Sequence, residues 1–253
     1  MTLTAQTVGL VCLLAVVPFY GGHLQRGELA WSAAGGVFGG IGIALLYHAL
    51  AIGKMGVVSP VTAVLAAAFP VVVGVVRGDA LAWFQMLGIA VALVAVVLIS
   101  RHSGDPSGFV ALGTAVPKAG RPLGVAIASG VAIGIFFLAL GTGQRGHGFD
   151  GLLAARVGSV ACLLLLALTA RTPLLPPRAT FGTILTSGTM DMAANACYVL
   201  AAQTGALAVA SVLTSLYPAS TVFLARFLLG ERLEPVQRFG VALALIGVAL
   251  IAA

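Results

Sequence analysis

An aspartate stands in the middle of an apolar stretch, where an acid could carry a proton or bind a polar solute. Asp191 lies halfway along residues 180–201, with Ser187 four residues before it and Asn195 and Tyr198 four and seven residues after it. On a helix these four side chains occupy an arc of about 80°. We expect this polar stripe to face the interior of a helix bundle, as a solute or proton site. The alternative is a hydrogen-bond network that packs helices together.

Two more ionisable groups lie near the ends of apolar stretches. His48 is a second candidate for proton coupling, because imidazole titrates near neutral pH, although a histidine near a helix end is also commonly interfacial. Tyr47 beside it is a candidate solute ligand. Arg156 stands near the start of residues 151–170, and we expect its long side chain to extend to the membrane interface.

Threonines, a serine, a tyrosine and prolines mark two other stretches, 56–77 and 206–229, as candidate cavity walls. The candidate solute ligands there are polar side chains near the prolines: Thr62, Thr214, Ser215 and Tyr217. The prolines predicted to kink these helices are Pro60, Pro70 and Pro218. A kink frees a backbone carbonyl, which a membrane protein tolerates where protein or a water-lined cavity meets it. The alternative is that both are simply bent packing helices.

Small residues in the second stretch predict close helix packing. Gly35 with Gly39 and Gly36 with Gly40 form two interleaved G-x-x-x-G pairs. Such spacing lets helix backbones approach each other. We do not interpret these glycines as a phosphate-binding loop, because no strand precedes them.

The elements that carry these residues are membrane helices. Of 253 residues, 60% are hydrophobic and 8% are charged, which is too few charges for the surface of a soluble domain. The net charge of +6 comes from single basic residues at the ends of apolar runs rather than from a nucleic-acid patch. The apolar stretches long enough to span a bilayer lie near 2–20, 30–50, 56–77, 81–100, 122–142, 151–170, 180–201, 206–229 and 234–253. The fold class predicted is an all-α polytopic membrane protein with about nine transmembrane helices.

Catalytic and metal-binding patterns are absent from the sequence. It contains no H-E-x-x-H, G-x-S-x-G or P-loop motif, and its four histidines are not at metal-ligand spacing. The three cysteines form no C-x-x-C pair. We therefore expect neither an enzyme nor a cofactor, a metal or a nucleic-acid partner.

The sequence also contains an internal repeat, whose two copies lie on either side of the polar segment 101–121. Residues 45–100 align without gaps on 197–252, and 16 of the 56 positions are identical. The informative identities are Gly53 with Gly205, Ser59 with Ser211, Thr62 with Thr214, Gly78 with Gly230, Gln85 with Gln237 and Gly88 with Gly240. Matching helices are five spans apart, an odd number, so the two copies should cross the membrane in opposite directions, as inverted-topology repeats do.

Two segments resemble the halves of an EamA-type member of the drug/metabolite transporter superfamily. They are ALAIGKMGVVSPVTAVL at 49–65 and the stretch 209–251, in which Ser-Leu-Tyr-Pro at 215–218 precedes Gly-Glu-Arg-Leu at 230–233. The resemblance implies ten helices in two five-helix halves around a central cavity. This chain departs from it in two ways: the leading helix is missing, and Gly78-Asp79 stands where Gly-Glu is usual.

The resemblance gives the expected domains and function. The first repeat would occupy residues 1–100 with four helices, the linker 101–121, and the second repeat 122–253 with five helices. We expect a secondary transporter of small organic solutes in the plasma or inner membrane, working by alternating access, with proton coupling and a homodimer left open. The alternative, suggested by the missing leading helix, is a non-transporting scaffold or an inactive truncated paralogue.

Overall fold

The described part of the chain is helical. The computed structural model describes residues 2–20, 26–52, 55–78, 82–99, 120–142, 149–171, 177–204, 210, 214 and 235–252, among which there is no strand. The helices are α1 Thr2–Tyr20, α2 Arg26–Ile52, α3 Met55–Val76, α4 Trp83–Ile99, α5 Gly120–Thr142, α6 Asp150–Thr169, α7 Phe181–Thr204 and α8 Pro235–Ala252. A short 3₁₀ turn at Arg178–Thr180 precedes α7.

These helices confirm the all-α class and eight of the nine predicted stretches. The largest difference in their bounds is at the start of α2, which begins at Arg26 rather than at residue 30. The predicted stretch 206–229 lies outside the described residues, apart from Ala210 and Thr214. Within the described residues, α1, α2, α5 and α6 are long and apolar enough to cross a membrane. Helix α7 has 24 residues, but its many polar side chains keep it out of that group.

Local sequence signals account for where several helices begin and end. Helix α8 starts at Pro235, where a missing N–H costs no intrahelical hydrogen bond. Helix α6 starts at Asp150, whose carboxylate meets the positive end of the helix dipole. At the start of α4, the Gln85 side chain accepts a hydrogen bond from the backbone N–H of Ala82 at 3.1 Å. Gly78 follows α3 with a φ of 95°, a left-handed conformation that glycine adopts without strain.

The chain forms two compact units. The first comprises Met1–Ala44 and Ile135–Leu207, and the second comprises Leu45–Gly134 and Ala208–Ala253. These units are defined by contacts, whereas the repeats 1–100 and 122–253 are defined by sequence order. The division into repeats, and their opposite directions across the membrane, therefore stay predictions.

In the first unit, α1 packs against both α6 and α7. The four glycines of α2 make close contacts in the same unit, which confirms their predicted packing role. Gly35 and Gly39 face α5, at Ala139 and Phe136. A Cβ at Gly36 would overlap the backbone of α6 at Ala155, and one at Gly40 would lie 3.1 Å from the carbonyl oxygen of Ser159 on α6. The two interleaved pairs thus serve two different neighbouring helices.

In the second unit, α4 packs along α8, and α3 also contacts α4. Gly247 allows the close approach of α8 to α4, since a Cβ there would lie 3.1 Å from the Gly88 carbonyl oxygen. A separate cluster of fully buried small side chains consists of Ala49, Val58 and Ala126. Small residues at these positions let helices pack by van der Waals contact, which is the main attraction available between helices in lipid.

Candidate functional site

A buried arginine is paired with the aspartate in the middle of α7. Nη1 of Arg156, on α6, donates to Oδ2 of Asp191 at 2.8 Å. The two side chains differ in exposure: 4% of the Arg156 side chain is accessible, against 45% of the Asp191 side chain. The pair therefore has its positive end inside the first unit and its negative end at an open surface of α7.

The guanidinium of Arg156 lies against Gly9 of α1 and Met192 of α7. A Cβ at Gly9 of α1 would lie 3.5 Å from Cζ of Arg156 and 3.4 Å from the carbonyl oxygen of Gly188 on α7. Nη2 of Arg156 points at the sulfur of Met192, 3.5 Å away. The arginine thus lies where α1, α6 and α7 meet. The missing side chain at Gly188 lets α7 approach the backbone of α1 at Ala5.

The prediction that Arg156 extends to the membrane interface is wrong. The residue is the seventh of α6, and its side chain turns inward because Asp191 supplies a counter-charge there. An isolated charge inside a membrane helix costs roughly 2.5–3.5 kcal/mol on insertion scales, so an acid and a base in neighbouring spans gain by pairing. This was the signal available in the sequence: Asp191 is an acid inside one span, and Arg156 is a base well inside the preceding one.

Asn195 completes the open end of the pair. Its Nδ2 donates to the backbone carbonyl of Asp191 at 2.8 Å and lies 3.4 Å from Oδ1 of the same residue. The side chain is half-buried. The amide N–H groups are therefore directed at Asp191, which leaves the amide oxygen of Asn195 and Oδ1 of Asp191 as acceptors.

Two threonines of α7, Thr186 and Thr189, do not belong to this site. Thr186 donates to the carbonyl oxygens of Gly182 and Thr183, each at 3.0 Å. Thr189 donates in the same way to carbonyls in the preceding turn of α7. At 100° per residue, both lie on roughly the opposite side of α7 from Asp191. A hydroxyl bonded to its own helix can face lipid, whereas an exposed carboxylate needs water or a polar ligand.

Tyr198, predicted to bind solute, is a buried residue that packs between helices of the first unit. It is buried, with 3% of its surface accessible. Its hydroxyl donates to the backbone carbonyl of Phe137 on α5 at 2.9 Å, and the two rings are 4.9 Å apart. Tyr198 thus joins α7 to α5, seven residues after Asp191 along α7.

Thr62 is also buried, in the second unit. It is 1% exposed and donates to the carbonyl of Ala126 on α5 at 3.3 Å. Thr214 donates to the carbonyl of Ala210 at 2.8 Å. Tyr47 and His48 are both exposed on α2. The roles predicted for these four residues in solute binding or proton coupling stay predictions.

The predicted kinks fall partly within the described helices. Pro60 and Pro70 are both inside α3, and Pro70 is buried. A third helical proline, Pro18, is inside α1 and was not predicted as a kink. Ser215, Tyr217 and Pro218 lie outside the described residues, so their predicted roles stay predictions.

Within the described ranges, no three His, Cys, Asp or Glu side chains lie close enough together to hold a metal ion. The chemistry that the site offers is therefore that of an ion pair and an amide. It can accept hydrogen bonds and attract a positive group at its open end.

Comparisons with known proteins bear on the family and the fold of the chain. A sequence profile described as the EamA-like transporter family matches residues 121–253. One solved crystal structure, 17% identical in sequence, superposes with a TM-score of 0.74 and covers 99% of this chain and 87% of its own. At that identity the likeness shows the fold alone. No curated protein matches the sequence.

Proposed function

The chain belongs to the EamA-like transporter family and is an integral membrane transporter of the drug/metabolite superfamily, and from this premise we propose that it is a secondary transporter of small organic solutes. The solute would bind at the open end of the Arg156–Asp191 pair, beside Asn195. Alternating access would expose this site to each side of the membrane in turn. The cell membrane, plasma or inner, is the location that suits such a role.

The observation that carries the proposal is the position of the ion pair. A charged pair inside two helices of a membrane protein costs desolvation energy that a pair of apolar side chains would not. Asp191 is also 45% exposed, so its carboxylate is not fully used in packing. A group that is both expensive to place in a membrane and open on one side is typical of a solute or ion pathway.

Proton coupling would use the same carboxylate. The Asp191 side chain is 45% exposed and Arg156 bonds its Oδ2, so Oδ1 is the oxygen that would take up a proton from water. His48, exposed on α2, is the second candidate. If Asp191 carries the proton, then Asp191→Asn should remove the dependence of transport on an imposed pH gradient, whereas His48→Gln should preserve it. The reverse result would assign coupling to His48.

A screen followed by transport tests the function. Purified protein in detergent is screened by thermal shift against amino acids, amines, nucleosides, sugars and organic acids, because a bound solute raises the apparent stability. Each compound that stabilises the protein is then measured as a radiolabelled solute in proteoliposomes. We expect saturable uptake that a pH gradient accelerates, and no uptake above background in protein-free liposomes.

Variants at the ion pair link this transport to the site. We expect Asp191→Asn to lower the initial rate at least about tenfold, the loss expected for one charge-assisted hydrogen bond. Cys197→Ala, on the exposed side of the same helix, is the matched control and should transport normally. Asp191→Asn combined with Arg156→Met keeps the buried site free of unpaired charge, so a folding defect is separated from a transport defect. Wild-type rates in the double variant would remove the pair from the mechanism.

A further inference from the structure

The open end of the ion pair presents hydrogen-bond acceptors and hides its donors. The guanidinium of Arg156 is 4% exposed and lies under Gly9, beside the sulfur of Met192. The amide N–H groups of Asn195 point at Asp191. Among these three side chains, what remains for a ligand is the amide oxygen of Asn195 and Oδ1 of Asp191, which takes a long 3.4 Å contact from Asn195 and keeps further acceptor capacity. From this arrangement we infer that the site recognises a protonated amine group of the solute.

The sign of the charge at the opening supports an amine over an acid. An incoming carboxylate would meet the carboxylate of Asp191 first and could not reach the guanidinium, which is 4% exposed and lies under Gly9 of α1. An ammonium group at Oδ1 is closer to the negative charge than to the positive one, because the guanidinium is bonded to the other oxygen, Oδ2. Attraction therefore exceeds repulsion for a cation and not for an anion.

Arg156 stabilises the carboxylate of Asp191 when no solute is bound. Without a counter-charge, a carboxylate would be unstable there whenever no solute was bound. The buried arginine supplies that counter-charge and bonds Oδ2, which leaves Oδ1 as the oxygen that a ligand could contact. Arg156 is thus a positioning residue rather than a ligand.

This inference rests on the proposed function and specifies the solute class for the same site. It is tested with two sets of probes that share a carbon skeleton and differ in one polar group: phenethylamine, phenethyl alcohol and phenylacetate, and butylamine, butanol and butyrate. Binding to the purified full chain in detergent is measured by thermal shift and isothermal titration. The variants are Asp191→Asn, the double variant with Arg156→Met, and Cys197→Ala as control.

We expect at least one amine to bind the wild-type chain and Cys197→Ala equally, while its matched alcohol and acid bind at least about tenfold more weakly. We expect Asp191→Asn and the double variant to weaken amine binding by at least about tenfold. Because the double variant contains no unpaired buried charge, its loss of amine binding cannot be a consequence of misfolding if its unfolding remains cooperative.

Three results would overturn the inference. The first is tighter binding of the acid or the alcohol than of the amine. If that binding depends on Asp191, the proposal of a transporter site is supported and the assignment of an amine solute is wrong. The second is amine binding that Asp191→Asn leaves unchanged. The third is no binding of either amine, in which case the transporter proposal is still judged separately by the broader screen and by uptake into proteoliposomes.

Discussion

Arg156 and Asp191 form an ion pair across 2.8 Å in which the cation is buried and the anion is half exposed. The asymmetry matters for what each residue does when the other is removed. A buried guanidinium that loses its partner has no access to water, whereas a half-exposed carboxylate can be hydrated. Stability and ligand recognition at this site should therefore depend on the two residues in different ways.

The first prediction concerns stability. Asp191→Asn should lower the free energy of unfolding by about 3 kcal/mol, because it leaves a buried guanidinium without a counter-charge. Arg156→Met should cost less, about 1 kcal/mol, since the carboxylate that remains is 45% exposed and Met fills part of the vacated space. Reversible unfolding in mixed micelles measures both values. Equal losses, or a larger loss for Arg156→Met, would contradict the asymmetry.

The second prediction uses the glycines of α2. Gly36→Ala should lower the free energy of unfolding by about 3 kcal/mol or prevent folding, because the new Cβ would overlap the backbone of Ala155 on α6. Gly27→Ala on the same helix is the control, since no described atom lies within 4 Å of the Cβ position. It should change stability by no more than about 0.5 kcal/mol. Monodispersity on size-exclusion chromatography and thermal unfolding distinguish them; similar behaviour of the two variants would refute the packing.

The third prediction compares Gly9 and Gly188, the two glycines at the contact between α1 and α7. At Gly188 an added Cβ would lie 2.5 Å from the carbonyl oxygen of Ala5 on α1, so Gly188→Ala should destabilise the protein by about 1–3 kcal/mol. At Gly9 the nearest atom would be 3.4 Å away, an ordinary contact, so Gly9→Ala should fold with equal or greater stability. Melting temperatures measured under the same conditions check the order, which would be reversed if α1 and α7 packed elsewhere.

The fourth prediction separates packing from solute binding at the tyrosines. Tyr198→Phe removes the hydrogen bond to the carbonyl of Phe137 and should cost about 1 kcal/mol of stability while changing solute affinity less than about twofold. Tyr47→Phe, at a residue that is 58% exposed, should leave stability unchanged. Thermal unfolding and titration with a stabilising solute provide both readings. A loss of affinity without a loss of stability at Tyr198 would instead support the solute-binding role predicted from the sequence.

The internal repeat shows that a residue matched by sequence can have a role in helix ends rather than in binding. Gly78 and Gln85 belong to the informative identities of the repeat. In the structure, Gly78 follows the end of α3 with a positive φ, and Gln85 accepts a hydrogen bond at the start of α4. A turn between two membrane helices requires such residues wherever it occurs, so both copies of a duplicated module would keep them.

The amino-acid sequence was sufficient to predict the helices, their membrane character, the glycine pairs and the position of Asp191 halfway along a predicted span. All of these follow from local properties, since an apolar run of helix length and the spacing of side chains along it can be read without knowing any neighbour. The partner of Asp191, the inward turn of Arg156 and the helices that each glycine pair contacts were decided by the tertiary structure. They depend on which faces of separate helices meet, and a side chain as long as arginine can reach either water or a buried acid from the same position on its helix.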